Sequence, residues 1–299
     1  MRPVRVGPKY PIGVICVSIS GVEPLMLDNI KSVNDMKRII ICLFFICAAT
    51  SMPGQTPKKE TEALRLVAYN VGVFSKYDED STQDIAEMMH ELGADAVAVC
   101  EQDSCNRRHA TYQTKVFAEA LGSEWDYRYA SAMQWNGGSY GTAAVTSQAI
   151  MGGFDIKIPK GEGYEPRVCV VAETKDYVIA AVHLDHSSDQ VRMQQARLIT
   201  DELMKRYRHS RKPVFLCGDL NATPGSQTLA LLSEDWTVLS EPAPTYPSQN
   251  PHSCIDYILA LNNHARYEVL GTAVCTEFET ADVRQTSDHL PVYVDVRIR

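Results

Sequence analysis

Pro213-Val214-Phe215-Leu216-Cys217 runs directly into Gly218-Asp219-Leu220-Asn221-Ala222-Thr223-Pro224. The apolar run has no polar break and is too short for a helix, which makes it a strand buried in a sheet. The polar stretch behind it starts with glycine and ends in Pro224-Gly225, the composition of a turn. A buried strand thus delivers Asp219 and Asn221 to the edge of a sheet. Two residues apart, they share one side if the segment stays extended. A carboxylate beside an amide suits a water and a phosphoryl oxygen.

Outward from this stretch, the chain from residue 63 reads as strands alternating with helices. Leu64–Val71, Ala94–Cys100, Thr142–Ser147, Val168–Ala172, Tyr177–Leu184, Ile255–Leu261 and Val292–Ile298 are short apolar runs, expected as strands covered on at least one face. Ile85, Met88, Met89 and Leu92 recur at helical spacing behind Ser81-x-x-Asp84, a capping-box pattern, and stop at Gly93. Further helices are expected over 111–121, over 188–207 with Val191, Gln195, Leu198, Ile199, Leu203 and Met204 on one face, and over 226–232. No internal repeat or long linker divides 64–299, so one α/β domain is expected. The alternation alone leaves a doubly wound sheet and a two-sheet sandwich open.

Polar residues punctuate the ends of these strands. Asn70 follows LVAY, Glu101 follows AVAVC, and His183 lies in VIAAVHLDH. Asp256 opens IDYIL, and Asp288-His289 precede LPVYVDV. Each alone has a plain structural explanation: a hydrogen-bonded core histidine, a solvated strand end, a loop aspartate bonding its own backbone. Their repetition at strand ends describes rigid supports holding one polar site.

YNV at Asn70, CEQD at Glu101, HLDH at His183, GDLNATP at 218–224, IDYIL at 255–259 and SDHLPV at 287–292 occur in one order. Together they resemble the endonuclease/exonuclease/phosphatase superfamily, which includes DNase I, apurinic endonucleases, sphingomyelinases and inositol-phosphate phosphatases. GGSYGTAAVTS at 137–147 and TYPS at 245–248 are similar to its compact bacterial members. The resemblance spans 64–299 and implies a four-layered α/β sandwich, two packed mixed sheets flanked by helices. It also implies hydrolysis of a phosphoester by a metal-activated water. Glu101 corresponds to the main metal ligand, supported by Asn70 and Asp288. An all-oxygen set favours Mg²⁺ or Mn²⁺.

By the same resemblance, Asp219 orients or deprotonates the water, Asn221 holds a phosphate oxygen and His183 donates to another. His289 serves the phosphate or the water proton, with Asp256 fixing its tautomer from behind. Whether Asp219 or His289 is the base stays open. Tyr140, after Gly137-Gly138-Ser139, is expected on a flexible loop facing substrate, and Arg167 in its EPR context as a phosphate contact.

The N-terminus reads separately. Met36-Lys37-Arg38, eleven apolar residues from Ile39 to Ala49, then Thr50-Ser51-Met52-Pro53 form a secretory signal pattern. The apolar run is shorter than the about 20 residues of a membrane span. Residues 1–35 are read as a gene-call extension, 36–52 as the signal peptide, 53–63 as a linker and 64–299 as the functional domain. Bulky Phe44-Phe45-Ile46 disfavour a lipid anchor at Cys47, so a periplasmic or extracellular monomer is expected. Cys100, Cys169 and Cys217 lie inside apolar runs and are expected as core thiols.

Segment 1–52 holds six of the 29 Lys and Arg and three of the 37 Asp and Glu, leaving 23 against 34, a net charge of −11. Phosphate backbones are gripped by clustered Lys and Arg. The dense basic clusters are Arg107-Arg108 and Arg206–Lys212, and the second precedes the 213–217 strand, at the end away from Asp219. A small or lipid-derived phosphoester is therefore preferred over nucleic acid as substrate. A nuclease of the same fold is the nearest alternative, and a non-catalytic phospho-ligand binder is disfavoured by the complete acid–histidine set.

Overall fold

The computed structural model describes residues 58–299. The expected extension at 1–35, the signal peptide at 36–52 and linker residues 53–57 lie outside the described residues. Residues 58–63 run along the domain: Lys59 pairs with Asp95 at 2.8 Å and Glu60 with Arg297 at 3.0 Å.

The element order is β1 (Leu64–Asn70), α1 (Thr82–Leu92), β2 (Ala96–Ser104), α2 (Gln113–Leu121), β3 (Asp126–Trp135), β4 (Gly138–Thr146), β5 (Gly152–Ile158), β6 (Arg167–Glu173), β7 (Val178–His183), α3 (Asp189–Tyr207), β8 (Val214–Asp219), α4 (Gln227–Leu232), β9 (Trp236–Val238), β10 (Asp256–Leu261), β11 (Tyr267–Val274), α5 (Val283–Thr286) and β12 (Val292–Ile298). Among the described residues the strands form two six-stranded sheets, ordered β11-β12-β1-β2-β4-β3 and β5-β6-β7-β8-β10-β9. This is the α/β sandwich, not a doubly wound sheet. Eight strands match the sequence expectation, while β3, β5, β9 and β11 were not foreseen.

Three apolar layers explain the stacking. Leu66 and Ala68 of β1 point between the sheets with Ala96, Ala98, Ala181, Phe215 and Val294. Their neighbours Val67 and Tyr69 point the other way, against Ile85, Met88, Met89 and Phe117 of α1 and α2. The alternation is the two-residue period of a strand. On the second sheet, Val171, Ala180 and Leu216 pack against Ala196, Ile199 and Leu203 of α3.

Helix α1 ends at Gly93, which adopts φ 67°, a left-handed cap that costs glycine little. The expected capping box at its start is not formed. The buried Ser81 hydroxyl donates to Thr286 O at 3.0 Å, and Asp80 accepts the Thr82 N–H at 2.9 Å instead. Ser81 thus ties α1 to the segment leading into Asp288-His289. All six cysteines of the described residues are free, with Cys100, Cys169 and Cys217 buried in the core.

Among the described residues two strand pairs are parallel, β1–β2 and β7–β8, and each is joined by a crossover carrying a helix, as parallel pairing requires. Strands β10 and β12 run antiparallel to β8 and β1. The ends of β1, β7 and β8 and the starts of β10 and β12 therefore meet at one edge.

Candidate active site

Register places the first three residues. Asp219 closes β8 with His183 of β7 and Asp256 of β10 as its lateral Cα partners. Gly218, just before it, adopts φ 141°, and a Cβ there would stand 2.0 Å from Val182 O and 3.1 Å from Cys100 Sγ. Only glycine lets the strand end pass this close to its neighbour β7 while Cys100 of the facing sheet packs beside it. Cys100 bridges the sheets here, donating to Val182 O at 3.1 Å.

Asp219 is the hub. Its Oδ2 accepts from Asn70 Nδ2 at 3.1 Å and lies 3.4 Å from His183 Nε2 and 3.7 Å from His289 Nε2. Its Oδ1 accepts the Asn221 N–H at 2.8 Å. Burial first, and the Asp256 charge second, push the Asp219 carboxyl up to about 7. His289 Nδ1 donates to Asp256 Oδ2 at 2.8 Å, and Thr245 Oγ1 donates to the same oxygen at 2.5 Å. Burial works against the His289 charge, but Asp256 and Asp219 outweigh it and raise the imidazole to about 10. His289 is thus an imidazolium held between two carboxylates.

His183 is the opposite case. Burial, followed by the Arg167 charge, holds it well below its usual range. Its Nδ1 accepts from Arg167 Nη1 at 3.4 Å. The neutral ring then carries its proton on Nε2, facing Asp219. Arg167 is 3% exposed and also pairs with Glu165 at 2.7 Å.

Glu101 does not sit where β2 ends, since the strand continues to Ser104. The pairing with β4 shifts between Val99 and Gln102, and Glu101 adopts φ 60° at this bulge. A bulge re-aims one side chain. Here it brings Glu101 Oε1 to 3.0 Å from Asn70 Nδ2 and 4.0 Å from His183 Nδ1. Asp288 is joined by Lys76, whose Nζ lies 2.6 Å from its Oδ2. Burial opposes the Lys76 charge, but Asp288 and Glu101 hold its pKa above the usual value.

Two sets of residues could hold a cation. Asp219, Asp256 and His289 offer atoms within 4.8 Å of one another. This trio is already a hydrogen-bonded chain, because His289 and Thr245 both use Asp256 Oδ2. Glu101 and Asp288 offer carboxylate oxygens, the donors a hard divalent ion takes, and both charges act on the Lys76 ammonium that pairs with Asp288. Asn70 faces the carboxylates with its amide nitrogen and turns Oδ1 to the Gly72 N–H at 3.2 Å. It would join an oxygen ligand set only after a half-turn of its amide.

Two further sequence expectations need correction. Asn221 adopts φ 49° beyond the end of β8, so it does not share an extended face with Asp219. One of its amide hydrogens goes to Leu184 O at 3.1 Å, leaving the other for a substrate. Tyr140 lies inside β4, opposite Asp103, and not on a flexible loop. The glycines before it signal crowding: a Cβ on Gly138 would stand 2.2 Å from Ser104 O. The charge of Glu101 still reaches the Tyr140 hydroxyl, whose pKa is raised by burial and then by that carboxylate. Lys76 is absent from the sequence expectations, and Thr245 enters them only as the first residue of TYPS, without a role.

Comparison with known proteins follows this geometry. The Endonuclease/Exonuclease/phosphatase family profile matches residues 67–289. No curated protein sequence matches the chain. Among solved structures, a mannosyl-6-phosphatase of Bacteroides thetaiotaomicron VPI-5482 is similar at 20% identity and TM-score 0.65, covering 78% of this chain and 99% of that one. The catalytic domain of human Nocturnin with bound sulfate is similar at 17% identity and TM-score 0.60, over 83% and 100% of the two chains. At such identities the likeness describes the fold. The profile, running from β1 through His289, carries the assignment: the chain belongs to the endonuclease/exonuclease/phosphatase family, whose members are phosphoester hydrolases.

Proposed function

We propose that this chain hydrolyses a small phosphoester with the help of a divalent cation, Mg²⁺ or Mn²⁺, held by Glu101 and Asp288 with Asn70. The observation that carries the reading is Asp219, a buried carboxylate with His183 Nε2 at 3.4 Å and His289 Nε2 at 3.7 Å from its Oδ2 and a pKa raised to about 7. A base works best when its pKa lies near the working pH. Asp219 accepts the proton of the attacking water at Oδ2. Imidazolium His289 donates from Nε2 to the phosphoryl oxygens, and Asp256 keeps it charged. Neutral His183 and the free Asn221 N–H orient the same group, while Tyr140 and Arg167 shape the wall on the β4 and β6 side. A bound cation would neutralise the phosphoryl group and the departing oxygen.

The test is a panel of phosphomonoesters and diesters, plasmid DNA and RNA, assayed with Mg²⁺ or Mn²⁺. Turnover of a small ester is expected to vanish with a chelator and to fall in Glu101→Gln along with metal affinity. Full activity in excess chelator would overturn the reading. We also infer export from the 36–52 pattern. N-terminal sequencing of protein from cells should find a start after about residue 51, and an intact Met1 would contradict it.

A further inference from the structure

Among the described residues Tyr164 is the most exposed of the large aromatic side chains, at 65%, yet its loop is not loosely held. Asp185, fully buried, accepts the Tyr164 N–H at Oδ2, 2.8 Å away. Its other oxygen accepts from Ser187 N at 2.8 Å, Ser187 Oγ at 2.5 Å and Ser188 N at 3.2 Å. Gly163 lies so close that a Cβ would stand 2.6 Å from Asp185 Oδ2. A buried carboxylate with this many donors rigidifies what it touches. Two loops, β5–β6 and β7–α3, are locked together at this point.

The lock sets Tyr164 edge to face against exposed His186, ring centroids 4.9 Å apart at 64°. Both rings sit on loops that lead directly into site residues. Tyr164 is three residues from Arg167 and His186 three from His183, and three residues span at most about 11 Å. On the other flank Tyr246 tilts over His289, centroids 4.8 Å apart, and is 36% exposed. His183 and His289 both approach Asp219, so the Tyr164–His186 loops and Tyr246 belong to the chain segments that flank the carboxylate assigned as base.

An exposed aromatic pair on a rigid support binds flat, partly apolar faces. The adjacent Glu165 carboxylate is 20% exposed and gives one oxygen to Arg167 at 2.7 Å, which leaves the other to accept from a hydroxyl. That combination fits a neutral polyhydroxylated ring better than a nucleotide strand, and an acyclic chain has no face to offer. We propose that Tyr164 and His186 form the leaving-group subsite, and that its occupant is the ring of a sugar phosphate. The inference rests on the hydrolase reading for the identity of the reacting group.

The experiment compares glucose 6-phosphate, glycerol 3-phosphate and AMP in three proteins: wild type, Tyr164→Ala and Tyr164→Phe. Affinities are measured by calorimetry with Mg²⁺ in an Asp219→Asn background, and kcat/KM in the active proteins. The preference for glucose 6-phosphate over glycerol 3-phosphate should fall about fivefold to tenfold in Tyr164→Ala, mainly through KM, and survive in Tyr164→Phe. AMP should bind more weakly than the sugar phosphate in the wild type. An unchanged preference in Tyr164→Ala, or AMP as the tightest ligand, overturns the proposal. The expected binding ratios without turnover of any ester would retain the ring subsite and remove the hydrolase reading.

Discussion

Strand β1 carries buried polar groups at both ends and handles them in opposite ways. At its start Arg65 meets Asp295 of β12, its Cα partner, through two hydrogen bonds of 2.7 and 2.6 Å. Its guanidinium lies 4.2 Å over the Tyr293 ring and also donates to Leu92 O. One cation faces one anion, and the pair closes the sheet end. At the other end Asn70 enters a cluster where Glu101, Asp219, Asp256 and Asp288 crowd around one imidazolium and one lysine. The first arrangement is a charge-balanced fastening. The second holds like charges together, and the raised pKa of Asp219 records the cost. A fold with a balanced solution at one end of the strand keeps the unbalanced one for chemistry.

Mutating the two ends should separate turnover from stability. Asp219→Asn removes the base and should lower kcat by about 10³-fold. Its effect on stability has the other sign. A folded pKa near 7, above the about 3.9 of an unfolded aspartate, means that the charged form opposes folding at pH 8. Asp219→Asn should therefore melt at or above the wild-type temperature there. A large loss of stability would assign Asp219 to the scaffold.

At the opposite end, Asp295→Ala leaves a guanidinium buried and should cost about 3–5 kcal/mol of folding free energy. Molecules that still fold should keep their kcat. Arg65→Met combined with Asp295→Leu should recover much of the loss, because an apolar pair replaces the ion pair without leaving a charge behind. Denaturant titration and assays on the folded fraction check both statements. A double variant less stable than Asp295→Ala would mean that the pair does more than balance charge.

A smaller effect concerns Asp185, the lock beneath Tyr164. Burial raises its pKa, but the Ser187, Tyr164 and Ser188 donors outweigh this and hold it below the usual carboxylate range. A depressed folded pKa gives stability that is present above about pH 4 and lost as pH falls through the folded value. The acid limb of the melting-temperature profile should be shallower in Asp185→Asn, and below about pH 4 the loop 160–166 should become open to proteolysis in the wild type. Identical acid limbs would show that Asp185 contributes no such linkage.

The strands legible in the sequence were the eight with neighbours on both sides, and the four missed are the sheet edges. Edges β3 and β11 mix partly buried and exposed residues without a clean period, β5 alternates over only its last five residues behind Gly152-Gly153, and β9 has three residues with one buried. Partial exposure dilutes the apolar pattern on which strand recognition rests. The site shows the same division. Asp219, His183 and Asp256 were legible because they end or begin central strands. The bulge at Glu101, the ion pair of Lys76 and the Asp185 lock depend on which loops meet in space, and local spacing does not encode that. Asn221 failed as an extended neighbour of Asp219 for a related reason: its left-handed backbone follows from the turn behind β8, and apolar periodicity is silent there.

The claim that the crowded end acts as one unit is tested most directly at His289 and Asp256, 2.8 Å apart and 33 positions apart in sequence. Turnover should be measured for Asp256→Asn, His289→Ala and the double variant under one set of conditions with Mg²⁺. Residues acting through each other lose their effect together. The account predicts that the double variant is little slower than His289→Ala alone. Multiplied independent losses would contradict it, and would assign Asp256 to anchoring β10 with no part in sustaining the imidazolium.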